Sequence, residues 1–373
     1  MIRYLFILFT TISALLLTSC QSGSDADEPR PEAEFKLSVA LADMSRNGIT
    51  RSVENFYDPS GAAISDNEKM QTLRIIIVRK DGTVEHNRYI DFSNHPSIWY
   101  GQEQFKVERG EDKEVYLFVN ENSTTYYVNE NSTTYNESTD GTVALSDNNF
   151  IREGSTFPTD RIKNLTVKTT INDEVLSGPL PMCEHHTIKA EALGRDTTLF
   201  VTRAATKFTY VINNNLDKTI SWSGLTIDKV SRKEYYLPNN TTYTFTKDEK
   251  GEIISGVVEN YNVATIQNNE HYTFGRTFDA ISVAKGEEKA LEPFYLLESK
   301  YTDSTSSDPK LNYKTSITLD GITLESKYLP NLSQLPRNSH VVVYITIGKS
   351  YEISCTVDVR PYGEIILEPG FGK

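Results

Sequence analysis

Apolar and polar positions alternate in short bursts along almost the whole chain. Phe35-Lys36-Leu37-Ser38-Val39-Ala40-Leu41 has the two-residue period of a half-buried strand. Leu73-Arg74-Ile75-Ile76-Ile77-Val78 and Val115-Tyr116-Leu117-Phe118-Val119 are nearly continuous apolar runs, as expected of strands buried on both faces. Asp81-Gly82 separates the first of these from Thr83-Val84-Glu85 and predicts a hairpin with a type I′ turn, which needs positive φ at both central residues. Further strands are predicted at Thr166–Ile171, Thr197–Val201, Arg203–Ile212, Leu225–Val230, Tyr235–Pro238, Thr241–Thr246, Pro293–Ser299, Thr315–Leu319, Val341–Ile347, Tyr351–Val359 and Glu364–Leu367, with Gly348-Lys349 as a hairpin turn. No stretch keeps a 3.6-residue period beyond one or two turns. The pattern predicts an all-β protein built as antiparallel β-sandwiches.

Two segments stand outside that pattern. Tyr4 to Leu17 runs 14 residues without a charge behind Arg3, the length of a signal-peptide apolar region and too short for a membrane-spanning helix. Met44 to Thr72 is polar, contains Arg46 and Arg51, and is predicted to be an exposed loop. Val119–Tyr126 recurs as Val128–Tyr135, a local duplication expected to lengthen a surface loop, since two copies are too few for a solenoid. Asn122, Asn131 and Asn136 open N-x-Ser/Thr triplets within or beside it and are expected to be polar loop residues.

Composition adds limits. Tyr is abundant (21) while Met (4) and Trp (2) are scarce, which suits strands. A net charge of −13 argues against nucleic acid as a partner. Cys183 and Cys355 are far apart, sit in no C-x-x-C pair, and are expected to be buried free thiols. Glu184-His185-His186 groups metal-ligand residue types, but adjacent residues of a strand point to opposite faces and no third ligand sits nearby. No nucleophile elbow, phosphate loop or Cys/His catalytic pair is present, and Gly61, Gly178 and Gly224 are expected to be turn glycines. Neither a cofactor nor an enzymatic activity is expected.

Leu17-Thr18-Ser19-Cys20 has the form of a lipobox, so residues 1–20 resemble a bacterial lipoprotein signal peptide. That resemblance implies cleavage before Cys20 and a lipid on its sulfur. Residues 21–34 form an acidic linker whose Asp25-Ala26-Asp27-Glu28 resembles the surface-export signal of Bacteroidota lipoproteins.

Four further blocks resemble the fimbrillin family, the lipoprotein pilins of Bacteroidota type V pili. They are Leu180-Pro181-Met182-Cys183, Arg203-Ala204-Ala205-Thr206-Lys207, Pro293-Phe294-Tyr295-Leu296-Leu297-Glu298 and Leu335-Pro336-Arg337-Asn338-Ser339-His340-Val341, in family order. Val341 stands where an aromatic is usual, and Arg360-Pro361-Tyr362 departs from the family's ending. The resemblance implies two transthyretin-like β-sandwich domains, expected at 35–190 and 191–373. It implies an outer-membrane, cell-surface location and other fimbrial subunits as partners. It also implies an arginine-specific protease, cutting after Arg51 in Thr50-Arg51-Ser52 or after Arg46 as the fallback, so that the first strand leaves with the lipid. The strand donated to a neighbouring subunit would be Glu364-Ile365-Ile366-Leu367. The alternatives are an uncut anchor or accessory subunit that keeps its lipid, and a surface glycan-binding lipoprotein using Trp99-Tyr100 or Tyr126-Tyr127.

Overall fold

The computed structural model describes residues 31–44, 65–121, 126–127, 145, 151–168, 176, 178–235, 237–251, 253–263, 271–301 and 311–362. Cys20, Arg46, Arg51, Gly61, Asn122, Asn131, Asn136 and Glu364–Leu367 lie outside the described residues. The strands in the first half are β1 Glu32–Leu41, β2 Asp43–Met44, β3 Thr72–Val78, β4 Val84–Asp91, β5 Trp99–Glu108, β6 Lys113–Val119, β7 Tyr126–Tyr127, β8 Thr166–Lys168, β9 Met182–Ile188 and β10 Asp196–Arg203. They continue as β11 Thr206–Asn214, β12 Ile220–Ser231, β13 Lys233–Tyr235, β14 Asn239–Lys247, β15 Ile253–Asn262 and β16 His271–Val283. The last are β17 Glu288–Ala290, β18 Phe294–Leu296, β19 Lys314–Leu319, β20 Ile322–Thr323, β21 Lys327–Tyr328, β22 Ser339–Ile347 and β23 Ile353–Pro361. The one α-helix among the described residues is Thr159–Lys163.

Seven strands in the order β4-β3-β6-β9-β10-β1-β5 enclose the first core. β9 and β10 share only Thr202↔Cys183 and Arg203↔Met182, and there one layer passes into the other. The two outer strands then meet through side chains. His86 Nε2 on β4 lies 2.7 Å from the Lys106 carbonyl of β5, and the Arg88 guanidinium sits 4.5 Å over the Phe105 ring. β3 is buried along its whole length, as its continuous apolar run requires. Its Arg74 is buried with it and makes a two-point pair with Glu121, Nε to Oε2 and Nη2 to Oε1 both at 2.7 Å.

The second core lies between β17-β11-β22-β23, with β18 also on β11, and β16-β12-β19-β20. β11 runs parallel to β22 from Thr206↔Ser339 to Asn214↔Ile347. Its alternate residues Phe208, Tyr210 and Ile212 face Trp222, Leu225 and Ile227, while Val211 packs with Val342 and Tyr344 on the opposite face. Pairing is mostly antiparallel, with β1–β10, β11–β22 and β2–β15 parallel.

Several local expectations change. The β3–β4 turn is not type I′. Gly82 N donates to Arg79 O and Arg79 N to Thr83 O, and Gly82 at φ +87° is its only left-handed residue. This is a type I turn closed by a glycine bulge, and Asp81 Oδ1 accepts from Thr83 N. Gly224 lies inside β12 at a shift in register, where a Cβ would meet the Arg276 carbonyl and Thr318 Oγ1 at 3.3 Å. Arg203–Ile212 is two strands, broken at Ala204-Ala205, one in each core. The far end of the predicted Met44–Thr72 loop is packed: Glu68 and Met70 are buried. The first copy of the repeat starts inside β6, and its Asn120, at φ +56°, holds Gln71 N, Lys69 O and Leu180 O.

Candidate functional site

β1 is an interior strand. It pairs parallel with β10 from Lys36↔Asp196 to Leu41↔Val201 and antiparallel with β5 from Glu32↔Glu108 to Ala40↔Trp99. Ala33, Phe35, Leu37, Val39 and Leu41 form its buried row, and Glu32, Glu34 and Lys36 its outer row, so the predicted alternation is present. From Leu37 onward both faces are buried, Ser38 and Ala40 included. Taking β1 away would leave unpaired N–H and C=O groups on both β5 and β10, with an apolar floor between them.

The end of β1 is held by the second half of the chain. β14 and β15 form a hairpin whose Tyr243, Ile253 and Val258 pack with the first core. β2, directly after β1, pairs with β15 at Asp43↔Val257 and Met44↔Val258. The hairpin comes so close to β10 that a Cβ on Gly256 would lie 2.7 Å from the Phe200 ring.

Beside the end of β1 lies a buried polar junction between the two cores, and the four sequence blocks meet there. Arg203 is fully buried. Its Nε donates to the Glu68 carbonyl at 2.9 Å, its Nη1 donates to Asn338 Oδ1 at 3.0 Å, and its guanidinium lies 4.5 Å over the Tyr362 ring. Asn338 uses its other amide atom on β1's exit, Nδ2 donating to the Ala42 carbonyl at 2.9 Å. Asn tolerates the left-handed φ of +55° this position has. Glu68 Oε1 pairs with Lys207 Nζ at 2.7 Å and accepts from Tyr295 OH at 2.5 Å. Arg337 and Glu298 form a second buried ion pair, with Arg337 Nη1 3.6 Å from Cys183 Sγ. Burial pushes the Cys183 thiol well above its ordinary range, so it is a packed thiol rather than a reactive one.

Glu184, next in β9, is buried and bonded to Tyr243 OH from the hairpin, with His185 N donating to its Oε1 at 3.2 Å. Burial raises its carboxyl to about 7, and it raises the Tyr243 hydroxyl well above its usual range. The two adjacent histidines have separate partners. His185 Nε2 is 2.6 Å from Glu114 Oε2, and its ring stacks on Tyr116. His186 Nε2 is 2.6 Å from the Phe200 carbonyl, and burial lowers its pKa to about 4, which keeps the imidazole neutral. Neither Cys183 nor Cys355 is in a disulfide, and the first is buried and the second half-buried. Trp99 and Tyr100 are half-buried against the first core, where Tyr100 OH donates to Glu103. They are packing residues more than a displayed aromatic platform.

Glu68 escaped sequence reasoning because a glutamate in a polar run carries no mark of burial. Its partners lie far away in sequence, at positions 207 and 295.

No family model matches the chain, and no curated protein does. Among solved structures, the tip fimbrial protein Mfa3 from Porphyromonas gingivalis, with C-terminal truncation, superposes with a TM-score of 0.50 at 8% identity, over 89% of this chain and 100% of that one. A fimbrilin (FimA) from Porphyromonas gingivalis gives 0.46 at 13% identity, over 89% and 98%. A fimbrial assembly protein from Parabacteroides distasonis gives 0.43 at 10% identity, over 88% and 96%. The chain shares its fold with the tip fimbrial protein, and that fold is all-β, as the alternation of apolar and polar positions predicts.

Proposed function

We propose that the protein is a structural subunit of a cell-surface fimbria. It is made as an outer-membrane lipoprotein anchored at Cys20 and polymerises after an arginine-specific protease cuts at Arg51, or at Arg46. The observation that carries this reading is the placement of β1. It is an interior strand with a buried apolar row, and Arg46 and Arg51 follow it within ten residues. One cut there severs strand and lipid together from the rest of the chain. The exposed edges of β5 and β10 would take an extended segment of another subunit by strand addition, with backbone bonds on both sides and apolar pockets for alternate side chains. The tail after Tyr362 has the matching pattern, Ile365 and Leu367 on one face with Glu364, Ile366 and Glu368 on the other.

A second reading is supported by the grip on β1's end. Pairing of β2 with β15, and the Asn338–Ala42 bond, suit a subunit that keeps its strand and lipid as an anchor or accessory component.

The test is the Arg51→Ala, Arg46→Ala double variant, with tail deletion of residues 363–373 as its companion. The double variant is expected to stay lipidated, folded and monomeric, and the deletion to be cut yet unable to donate. Tyr362 is kept in the deletion because it is part of the buried junction. Filaments of normal length from the double variant overturn the cleavage reading, and N-terminal sequencing of sheared filaments then distinguishes an uncut subunit.

A further inference from the structure

Three separated stretches of the chain converge on one side chain: Ala42 at the end of β1, Glu68 before β3, and Tyr362 after β23. Arg203 reaches Glu68 and Tyr362 directly and Ala42 through Asn338. Its Nε binds the Glu68 carbonyl, its Nη1 binds the Asn338 amide that holds the Ala42 carbonyl, and its face carries the Tyr362 ring. Arg203, Asn338, Tyr362, Glu68 and Ala42 are each at most 3% exposed.

We infer that Arg203 energetically couples the seating of β1's end to the seating of Tyr362, the root of the C-terminal tail. A guanidinium has a rigid plane. The orientation that puts its face on Tyr362 also aims Nη1 at Asn338 and Nε at Glu68. Loss of the ring removes the contact on the guanidinium's face, so Asn338 Oδ1 loses the better fixed of its two donors, keeping the Arg203 backbone N–H at 3.3 Å, and its grip on Ala42 loosens. Loss of the Asn338–Ala42 bond acts in the other direction and loosens Tyr362. Coupling of this kind is reciprocal by necessity. A consequence, which rests on the fimbrial reading above, is that departure of β1 would also loosen the root of the tail. Opening of the acceptor and readying of the donor would then be linked within one subunit.

Hydrogen exchange followed by mass spectrometry tests the coupling on the intact chain, without any cleavage. Tyr362→Leu keeps apolar bulk and removes the π face. It is expected to speed exchange in residues 37–44 by about five- to tenfold, the low end of typical coupling. Asn338→Gly keeps the left-handed backbone and removes the amide, and it is expected to speed exchange in residues 357–362 by a similar factor. In the Asn338→Gly background, Tyr362→Leu should add nothing at residues 37–44, and Tyr362→Phe, which keeps the ring and loses only the hydroxyl's 3.4 Å bond to the Ala205 carbonyl, should leave residues 37–44 unchanged. Exchange at 37–44 that is unmoved by Tyr362→Leu overturns the inference. So does an equal rise with and without Asn338, which would place the connection elsewhere. Because each single variant reads the opposite end, failure of one to fold leaves the other decisive. Neither outcome touches whether Arg51 is cut.

Discussion

Glu184 makes docking of the β14–β15 hairpin depend on pH, in a direction the geometry sets. Its carboxyl is 2% exposed, and its nearest polar partners are Tyr243 OH, His185 N and Thr241. Arg337 also attracts it, but that guanidinium is committed to Glu298. Burial therefore dominates and moves the carboxyl from 4.5 up to about 7. A raised acid is neutral in the folded protein where it is already ionised in the unfolded one. Its contribution is fully present below about pH 4.5 and is lost as the pH rises through about 7. With roughly 1.4 kcal/mol per unit, the loss between pH 5 and pH 8 is about 2–3 kcal/mol. His186 works the other way. Its lowered pKa favours the folded state above the ordinary 6.5 and disfavours it as the pH falls toward 4. The parent profile alone therefore mixes two slopes. Glu184→Gln has the same shape and no titration, so urea unfolding of parent and variant at pH 5 and pH 8 isolates the carboxylate. The parent should lose about 2–3 kcal/mol more than the variant across that interval. Protection from exchange in residues 242–247, corrected for the intrinsic rise of exchange with pH, should fall between pH 5 and pH 8 in the parent only. Equal pH slopes for the two proteins would refute the reasoning, since a solvated carboxylate has nothing to lose above pH 5.

Three further outcomes are expected. Gly256→Ala places a Cβ 2.7 Å from the Phe200 ring, so ring or hairpin must shift. It should destabilise by about 1–3 kcal/mol in urea unfolding, where an unchanged midpoint would show the hairpin sits farther off. Arg74→Ala leaves the Glu121 carboxylate buried without its two-point partner and should cost about 3–5 kcal/mol, with much of the loss recovered by adding Glu121→Gln. Cys20→Ser should abolish incorporation of a fatty-acid probe in cells, and a labelled variant would remove the lipid anchor from the reading.

What was legible in the sequence depended on how many faces a strand buries. β3 and β6 are covered on both faces, so their apolar runs are continuous and their positions were plain. β22 followed for the same reason, and β1 from the alternation of its first half. β5, β15 and β16 were missed. β5 begins Trp99-Tyr100-Gly101-Gln102-Glu103-Gln104, and β16 carries Gly275 and fully buries only Phe274 and Val283. Edge and hairpin strands bury little on either face, and their place is set by partners rather than by their own pattern. The junction was half visible. Its arginines, Tyr295 and Asn338 were picked out as blocks, but they are brought together by the parallel β11–β22 pairing, which no local period encodes. Glu184 was noted for its histidine neighbours, and its significance came instead from Tyr243, 59 residues away.

Energetics explain why β1 needs such a junction if it is to leave on cue. Phe35, Leu37, Val39 and Leu41 are each at most 2% exposed. At about 1.5–3 kcal/mol per fully buried side chain, the row contributes roughly 6–12 kcal/mol, comparable to the whole stability of an ordinary domain. An intact chain therefore keeps β1 seated, and an emptied groove would be an aggregation-prone state rather than a resting one. A cut alone changes the connectivity without changing these contacts, so the strand has to be displaced by a segment of similar apolar content. On the same alternation, the tail offers Ile365, Leu367 and, past Pro369, Phe371. That is nearly the same apolar load, and Pro369 lacks one backbone donor. The proposed exchange would then be close to balanced, with small terms deciding its direction. The Asn338–Ala42 bond and the Tyr362–Arg203 contact are terms of that size, one at the leaving strand and the other at the root of the incoming segment's own chain.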